Sequence, residues 1–225
     1  MARRVLHDRY FKQAKREGYV ARSAYKLLEL NDRRRLIRAG DFVLDMGCVP
    51  GSWLQVAAEL VGPGGVVVGV DLQRTDLRDV FPGGRPNVHV FEGDITAIDV
   101  EVLLEPIEAA DPTRGLFDVV ISDMAPKTIG AGDDLRSVHL CRDVLARLPE
   151  LLGRGGKLAM KVLEGGEFPD LLKETKAVFA EVGAIKPKAS RDVSRETYVV
   201  ASGYGLEARR KTRRKKTGDG RGRRS

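Results

Sequence analysis

One lysine stands inside a short apolar segment of the sequence. Residues 158–163 read LAMKVL, and pairs of glycines precede and follow them, which is the pattern of a buried strand with a turn at each end. An ammonium that is buried without a partner destabilises a fold strongly. Lys161 is therefore expected either to have an acidic partner or to lie at the open end of its strand, near a site. The alternative is a strand-edge lysine whose ammonium reaches water.

Three aspartates stand at the ends of the first three strand-like segments: Asp45, Asp71 and Asp94. In a parallel α/β sheet, ligands bind beyond the carboxyl ends of the strands. Asp71 is placed to accept hydrogen bonds from a ribose diol, and Asp94 to meet an adenine amino group. Asp45 would repel a pyrophosphate, but it suits a ligand that carries an ammonium or sulfonium, such as S-adenosylmethionine.

The loop after the first strand, GCVPGSW at 47–53, separates this chain from other nucleotide binders. Gly47 and Gly51 allow a tight turn and a close approach of the backbone to a ligand. The loop lacks the GxGxxG pattern of dinucleotide-binding enzymes and the lysine of a P-loop. An NAD-linked oxidoreductase is therefore disfavoured, and a plain strand–turn–helix with structural glycines stays as the alternative.

Strand-like and helix-like segments alternate from residue 41 onward. Strands are expected at 42–47, 65–71, 87–94, 116–124, 158–163 and 196–204. Helices are expected at 52–61, 99–104, 133–152 and 169–181. This alternation predicts an α/β fold of the Rossmann-like kind, a mostly parallel central sheet with helices on both faces.

Charge divides the 225-residue chain into three parts, although the net charge is only +7. Residues 1–38 carry +8 and are expected to form a basic helical extension on the RNA-binding side. Residues 39–206 carry −9 and form the predicted catalytic domain, and residues 207–225 form a basic tail of +8 that is expected to be disordered. Basic ends around an acidic body indicate a polyanionic partner, RNA or DNA rather than a membrane surface.

The composition bears on membrane insertion, on disulfide and metal sites and on the expected location of the protein. No apolar run is long enough to span a membrane, and no signal peptide is evident. The two cysteines, Cys48 and Cys141, are far apart, and the three histidines are scattered, so neither a disulfide nor a metal site is expected. A reducing cytoplasm is the expected location.

Several segments together resemble one family. LDMGCVPGSW, VVGVDL, FEGDIT, ISDMAP, AMKV and SRETYVV, preceded by ARSAYKLLEL, are similar in order and over about residues 8–205 to the FtsJ-like ribose 2′-O-methyltransferases. The resemblance implies a Rossmann-like methyltransferase sheet, S-adenosylmethionine as methyl donor and a ribose hydroxyl of RNA as acceptor. For the bacterial members that this chain resembles most, it implies a uridine of large-subunit ribosomal RNA, with the large ribosomal subunit as the partner.

The resemblance also implies the site residues. The catalytic set falls on Lys26, Asp123, Lys161 and Glu196, and the cofactor contacts fall on Gly51, Trp53, Asp71, Asp94 and Asp123. Two positions depart from the family pattern: residues 48–52 read CVPGS instead of AAPGG, and Lys127 stands where an asparagine commonly follows SDMAP.

Basic and aromatic residues alternate near the N-terminus and are expected to capture RNA through its phosphates and splayed bases. The cations are Arg3, Arg4, Lys12, Lys15, Arg16 and Arg22, and the aromatics are Tyr10, Phe11, Tyr19 and Tyr25. The same transfer to tRNA remains open, as does a non-catalytic RNA-binding assembly factor. Lys161 could accept the proton of the acceptor hydroxyl when neutral, or orient the hydroxyl and stabilise negative charge as a cation.

Overall fold

A computed structural model of the protein describes residues 2–126, 130–190 and 194–207, and the side chains from residue 9 onward. Its strands are β1 (Phe42–Met46), β2 (Val66–Asp71), β3 (Val88–Glu92), β4 (Phe117–Ser122), β5 (Leu152–Leu163), β6 (Phe179–Ile185) and β7 (Glu196–Tyr204). Its helices are α1 (Ala2–Glu17), α2 (Ala24–Arg34), α3 (Ser52–Val61), α4 (Leu77–Val80), α5 (Val100–Ala110), α6 (Asp133–Leu151) and α7 (Phe168–Val178), and Gly62–Gly64 form a 3₁₀ turn.

The strands form one sheet in the order β3–β2–β1–β4–β5–β7–β6. β1 to β5 pair in parallel, whereas β7 runs antiparallel to both β5 and β6. The order reverses between β1 and β4, so their carboxyl ends mark the point where an open α/β sheet binds its ligand. The predicted Rossmann-like, mostly parallel fold is confirmed.

Helices cover both faces of the sheet, and side chains of alternating orientation on the strands supply the two cores. On one face, Leu44 and Val68 pack with residues of α5, α6 and α7. On the other, Val43 and Val67 pack with α2 and α3. Because Leu27 and Leu30 of α2 are fully buried in that second core, this helix is fixed firmly against the sheet.

One predicted element is wrong in part. The helix expected over 169–181 ends at Val178, and residues 179–185 form strand β6, which the sequence did not indicate. β6 is an edge strand and contains glutamate, glycine and two alanines, so it lacks the clear apolar alternation of a half-buried strand. β5 also begins earlier than expected, at Leu152.

The ends of the chain are only partly described. α1 accounts for much of the helical structure expected in residues 1–38, and α2 for most of the rest. The expectation for the basic tail falls almost entirely on residues 208–225, outside the described part of the chain, as does Lys127.

Candidate active site

Lys161 lies near the carboxyl end of β5, where three strands bring polar groups together. In the register between β5 and β7, Lys161 stands opposite Tyr198, and Leu163 stands opposite Glu196. Asp123 directly follows β4, the other neighbour of β5. The two expectations for Lys161, an acidic partner and a place at the open end of its strand, are both met.

Lys161, a buried residue with a relative exposure of 9%, donates to Asp123 twice. Its Nζ lies 2.9 Å from Oδ1 of Asp123 and also donates to the backbone oxygen of the same residue. The Tyr198 hydroxyl donates to the same Oδ1 at 2.6 Å. One carboxylate therefore holds both the lysine and the tyrosine in place.

Lys26, which is buried, and Glu196, which is partly buried, form a second ion pair. The Lys26 Nζ lies 2.7 Å from Oε1 and 2.9 Å from Oε2 of Glu196, and Oε1 also accepts a hydrogen bond from the Ser190 hydroxyl at 2.7 Å. Lys26 is on α2 and Glu196 begins β7, so this pair joins the helix to the sheet. Breaking such a pair on one side would leave the other charge buried without a partner.

Tyr198 connects the two ion pairs. Its hydroxyl binds Asp123, and its ring centroid lies 5.9 Å from the Lys26 Nζ, within the range of a cation–π contact. Burial and the nearby carboxylates of Asp123 and Glu196 raise the pKa of Tyr198 well above its usual value, so it acts as a hydrogen-bond donor. The structure thus brings together all four residues of the predicted catalytic set around a tyrosine that sequence reasoning missed.

A signal for Tyr198 was present in the sequence. In a strand, residues two apart share a face, so a tyrosine two positions after Glu196 had to face the same site. No pattern in the chain, however, indicated that its hydroxyl reaches Asp123, 75 positions away.

The loop after β1 has the close packing expected of a ligand cradle. Gly51 has φ +106° and precedes α3, and a Cβ at this position would stand 2.7 Å from Cγ2 of Val80. Gly47 has φ +80°, and a Cβ there would stand 2.3 Å from Cγ of Met124, in the segment after β4. Glycine is required at both positions by conformation and by space.

Asp71 and the segment before Asp94 lie side by side at the next strand ends. The Asp71 carboxylate accepts hydrogen bonds from the backbone N–H of Val49 at 3.0 Å and of Gln73 at 2.9 Å. The N–H of Gly93 donates to the Asp71 carbonyl at 2.8 Å. Asp94 is exposed, and hydrogen bonds from Thr96 lower the pKa of its carboxyl.

Asp45 is the most unusual carboxylate of this region. It is completely buried, and neither of its side-chain oxygens has a hydrogen-bond partner within the described ranges. Burial, together with the nearby charges of Asp123 and Asp71, raises the pKa of Asp45 well above its usual value. A buried acceptor left without a donor is the feature expected where a cationic ligand supplies the missing partner.

Trp53 differs from the other predicted cofactor contacts because its side chain is buried in the core, with an exposure of 2%. Its indole N–H donates to the Ser23 carbonyl at 2.9 Å, and its ring centroid lies 5.7 Å from that of Tyr198. The Ser23 and Ser52 hydroxyls share a hydrogen bond of 2.7 Å. These contacts tie the start of α2 to the start of α3 and to the site tyrosine.

The N-terminal aromatics pack mostly against each other. Tyr25 contacts the rings of Tyr10 and Tyr19, and the hydroxyls of Tyr25 and Tyr19 donate to Glu17 and Glu59. Phe11, by contrast, is 59% exposed. Three of the four aromatics predicted to meet bases therefore have structural partners, and the side chains of Arg3 and Arg4 lie outside the described part.

The described segments contain no group of three or more histidine, cysteine or acidic side chains that could hold a metal ion. None of the helices in those segments has the length and apolarity needed to cross a bilayer.

The open, mostly parallel sheet with helices on both faces places the chain in the Rossmann-like class of α/β folds. The chain belongs to the FtsJ-like methyltransferase family, whose sequence profile matches residues 19–204.

Curated relatives in this family share a name. The ribosomal RNA large subunit methyltransferase E of Syntrophobacter fumaroxidans is 44% identical over 198 residues, which cover 87% of this chain and 95% of that protein. The protein of the same name from Nitratidesulfovibrio vulgaris is 43% identical over 203 residues, which cover 89% and 96%.

Solved structures agree on the fold. The crystal structure of a ribosomal RNA methyltransferase from Plasmodium falciparum aligns with a TM-score of 0.69 at 27% identity, over 83% of this chain and 98% of that one. A fibrillarin/Nop5p complex aligns with a TM-score of 0.55 over 81% of this chain and 82% of the other, and at 16% identity it shows the fold alone.

Proposed function

We propose that this methyltransferase transfers a methyl group from S-adenosylmethionine to the ribose 2′-hydroxyl of a uridine in large-subunit ribosomal RNA, on the assembling large subunit in the cytoplasm. Two observations support the substrate: the shared name of the relatives at 43–44% identity, and the basic N-terminal extension. The observation that carries the chemistry is the pair of contacts between a buried lysine and a partly buried acid, Lys161–Asp123 and Lys26–Glu196, joined by Tyr198.

The strand-end residues fit the donor. Asp71 would hold the ribose diol, because its two oxygens each accept one backbone N–H and keep further acceptor capacity. Asp94 would meet the adenine, Gly51 would let the backbone approach the ligand, and Asp123 and Asp45 would face its cationic end. Trp53 stays a predicted contact, and what supports it is its place at the start of α3. The bound donor supplies an electrophilic methyl group, so the protein must supply alignment and a competent nucleophile.

Lys161 is the residue we assign to the acceptor hydroxyl. Two of its N–H bonds are directed at Asp123, one to Oδ1 and one to the backbone oxygen. In the neutral form the remaining position on nitrogen is a lone pair that can accept the hydroxyl proton, whereas in the charged form it is a third N–H that can orient the hydroxyl oxygen. In both forms, one bonding direction on the nitrogen stays available for the hydroxyl.

The other members of the set position Lys161 and balance charge. Asp123 holds Lys161 in a single orientation, and Tyr198 holds Asp123. Lys26, paired with Glu196, adds a fixed positive charge that would stabilise negative charge developing on the ribose oxygen.

The test is a map of 2′-O-methylation across the total RNA of cells with and without the gene. Loss of one methylated uridine in large-subunit ribosomal RNA, with its return when the gene is restored, is the expected result. Loss of methylation in tRNA instead would show that tRNA is the substrate. An unchanged map would indicate a non-catalytic RNA-binding factor.

A further inference from the structure

A second pocket lies away from the active site, between the end of α2 and the outer strands of the sheet. It has a volume of about 350 Å³. Its charged lining consists of four cations and two acids: Arg33, Arg34, Arg35, Lys157, Asp32 and Glu181. The remainder of the lining comes from Leu36 and from β6 and β7.

Two elements that contribute to the active site, β5 and α2, also contribute residues to this pocket. Lys157 and Lys161 are four residues apart on β5, so they share a face of the sheet and lie roughly 13 Å apart at about 3.3 Å per residue. Lys26 and Arg34 are eight residues apart on α2, roughly 12 Å at about 1.5 Å per residue. The distances along α2 and along β5 therefore agree, and both place the basic pocket roughly 12–13 Å from the active site.

Two of the four cations are already engaged in the fold. Arg33 pairs with Glu29 at 2.6 Å. Lys157 donates to the carbonyl oxygens of Arg35 and Leu36 at 2.9 and 2.8 Å, and burial lowers its pKa. Lys157 thus fixes the backbone at the end of α2 and shapes the pocket.

Arg34 and Arg35 remain as exposed guanidinium groups, and neither has an ion-pair partner in the part of the chain that the structure describes. The Arg34 guanidinium lies over Gly183 of β6, where a Cβ would stand 2.8 Å from its Nη2. Arg35 ends α2 in a left-handed conformation, with φ 48° and ψ 51°. Gly183 leaves room for the Arg34 guanidinium, and Arg35 contributes to the lining of the same pocket.

We propose that this pocket binds a backbone phosphate of the RNA substrate, about 12 Å along α2 from the nucleotide that is methylated. Planar guanidinium groups bind phosphate oxygens through paired hydrogen bonds, and two that lack acidic partners favour an anion. The site rests on the proposed function for the identity of the RNA. It would fix the direction in which the RNA strand crosses the face of α2.

Charge substitutions at Arg34 test the site in the full-length chain. Arg34→Glu and Arg34→Gln are compared with Arg85→Glu and Arg85→Gln, because Arg85 is also exposed and precedes β3 at the opposite edge of the sheet. The probe is a large-subunit ribosomal RNA fragment, whose binding is measured over a range of salt concentrations. Calorimetry with S-adenosylmethionine checks that each variant is folded.

We expect Arg34→Gln to weaken RNA binding about tenfold, the effect of removing one charge-assisted hydrogen bond, and Arg34→Glu to weaken it further. The slope of log K against log salt should fall by roughly 0.7 for each phosphate that the variant no longer neutralises. The KM for RNA should rise while kcat at saturating RNA stays the same, which a distorted active site would not produce.

Equal affinity and equal salt slope in the Arg34 and Arg85 variants would overturn the phosphate site. The binding measurement needs no methyl transfer, so it tests the pocket independently of the reaction. A wild-type protein that binds the fragment but never methylates ribosomal particles would instead contradict the proposed function.

Discussion

The role that we propose for Lys161 takes one of two chemical forms. Because Asp123 accepts two of its hydrogen bonds, only one direction on the nitrogen is left for the acceptor hydroxyl, filled by either a lone pair or a proton. Lys161→Ala should preserve cofactor affinity and reduce transfer by roughly two to four orders of magnitude, the usual contribution of a positioned proton acceptor. Single-turnover transfer to ribosomal particles at saturating cofactor measures this loss.

Lys161→Arg separates the two roles, since arginine keeps its charge at working pH. If Lys161 acts as a base, arginine should fail about as completely as alanine. If it acts as a cation, partial rescue is expected. Near-normal transfer by Lys161→Ala would leave Lys161 as a structural lysine.

Asp45 combines a stability effect with a binding effect. Its pKa is raised by burial, so its contribution to stability is fully present below the pKa of the unfolded chain and is lost as pH rises toward the folded pKa. Without cofactor, the free energy of unfolding of Asp45→Asn should therefore rise relative to that of the wild type as pH rises above about 4. The difference should grow by up to about 1.4 kcal/mol per pH unit.

Urea unfolding of both proteins at pH 5 and pH 8 measures this difference. The same substitution should weaken the binding of S-adenosylmethionine, because asparagine, unlike aspartate, cannot lose a proton and face the bound cation with a negative charge. If the difference in free energy of unfolding between the two proteins is the same at pH 5 and pH 8, the pKa of Asp45 is not raised by folding.

At the scale of elements, Gly51 is one of the two glycines on which the turn between β1 and α3 depends. At Gly51 a Cβ would collide with Val80, and φ is +106°. Gly51→Ala should reduce the free energy of unfolding by about 1–3 kcal/mol, because both strain and overpacking destabilise, and it should weaken cofactor binding by moving the loop.

Gly83→Ala is the matched control, because its Cβ would meet nothing within 4 Å and its φ is not positive. Urea unfolding and calorimetry of the two variants side by side check the effect. Equal behaviour of the two would mean that the cradle tolerates a side chain.

Elements with a strong pattern could be predicted, and those held by their neighbours could not. β1, β2 and β4 are apolar runs buried on both faces, so their sequence alone indicated a parallel sheet. β6 was missed because its hydrogen bonds to β7, rather than its own side chains, hold it as a strand. The long helix expected at 133–152 closely matches α6, where aspartates in the first turn gave a clear start.

For the whole molecule, the site had to be assembled from distant parts of the chain. Lys26 and Glu196 are 170 positions apart, and no periodicity relates a helix lysine to a strand-end acid. Their membership of one site followed only from the family resemblance, and their ion pair was not predicted. The acids at the strand ends could be derived from the sheet alone, because parallel strands bring their carboxyl ends to one edge.

The charge pattern of the whole chain predicts that the basic tail contributes to RNA binding and that the acidic body binds the cofactor. Deleting residues 207–225 removes a formal charge of +8, and we expect weaker RNA binding with a flatter salt dependence, because fewer counterions are released. A tail in which every lysine and arginine is replaced by glutamine controls for chain length and should behave like the deletion. Cofactor affinity, measured by calorimetry, should stay the same, since β1 to β4 and their loops are untouched. If RNA affinity and salt slope match those of the full chain, the tail contacts another partner, and RNA capture rests on α1 and α2.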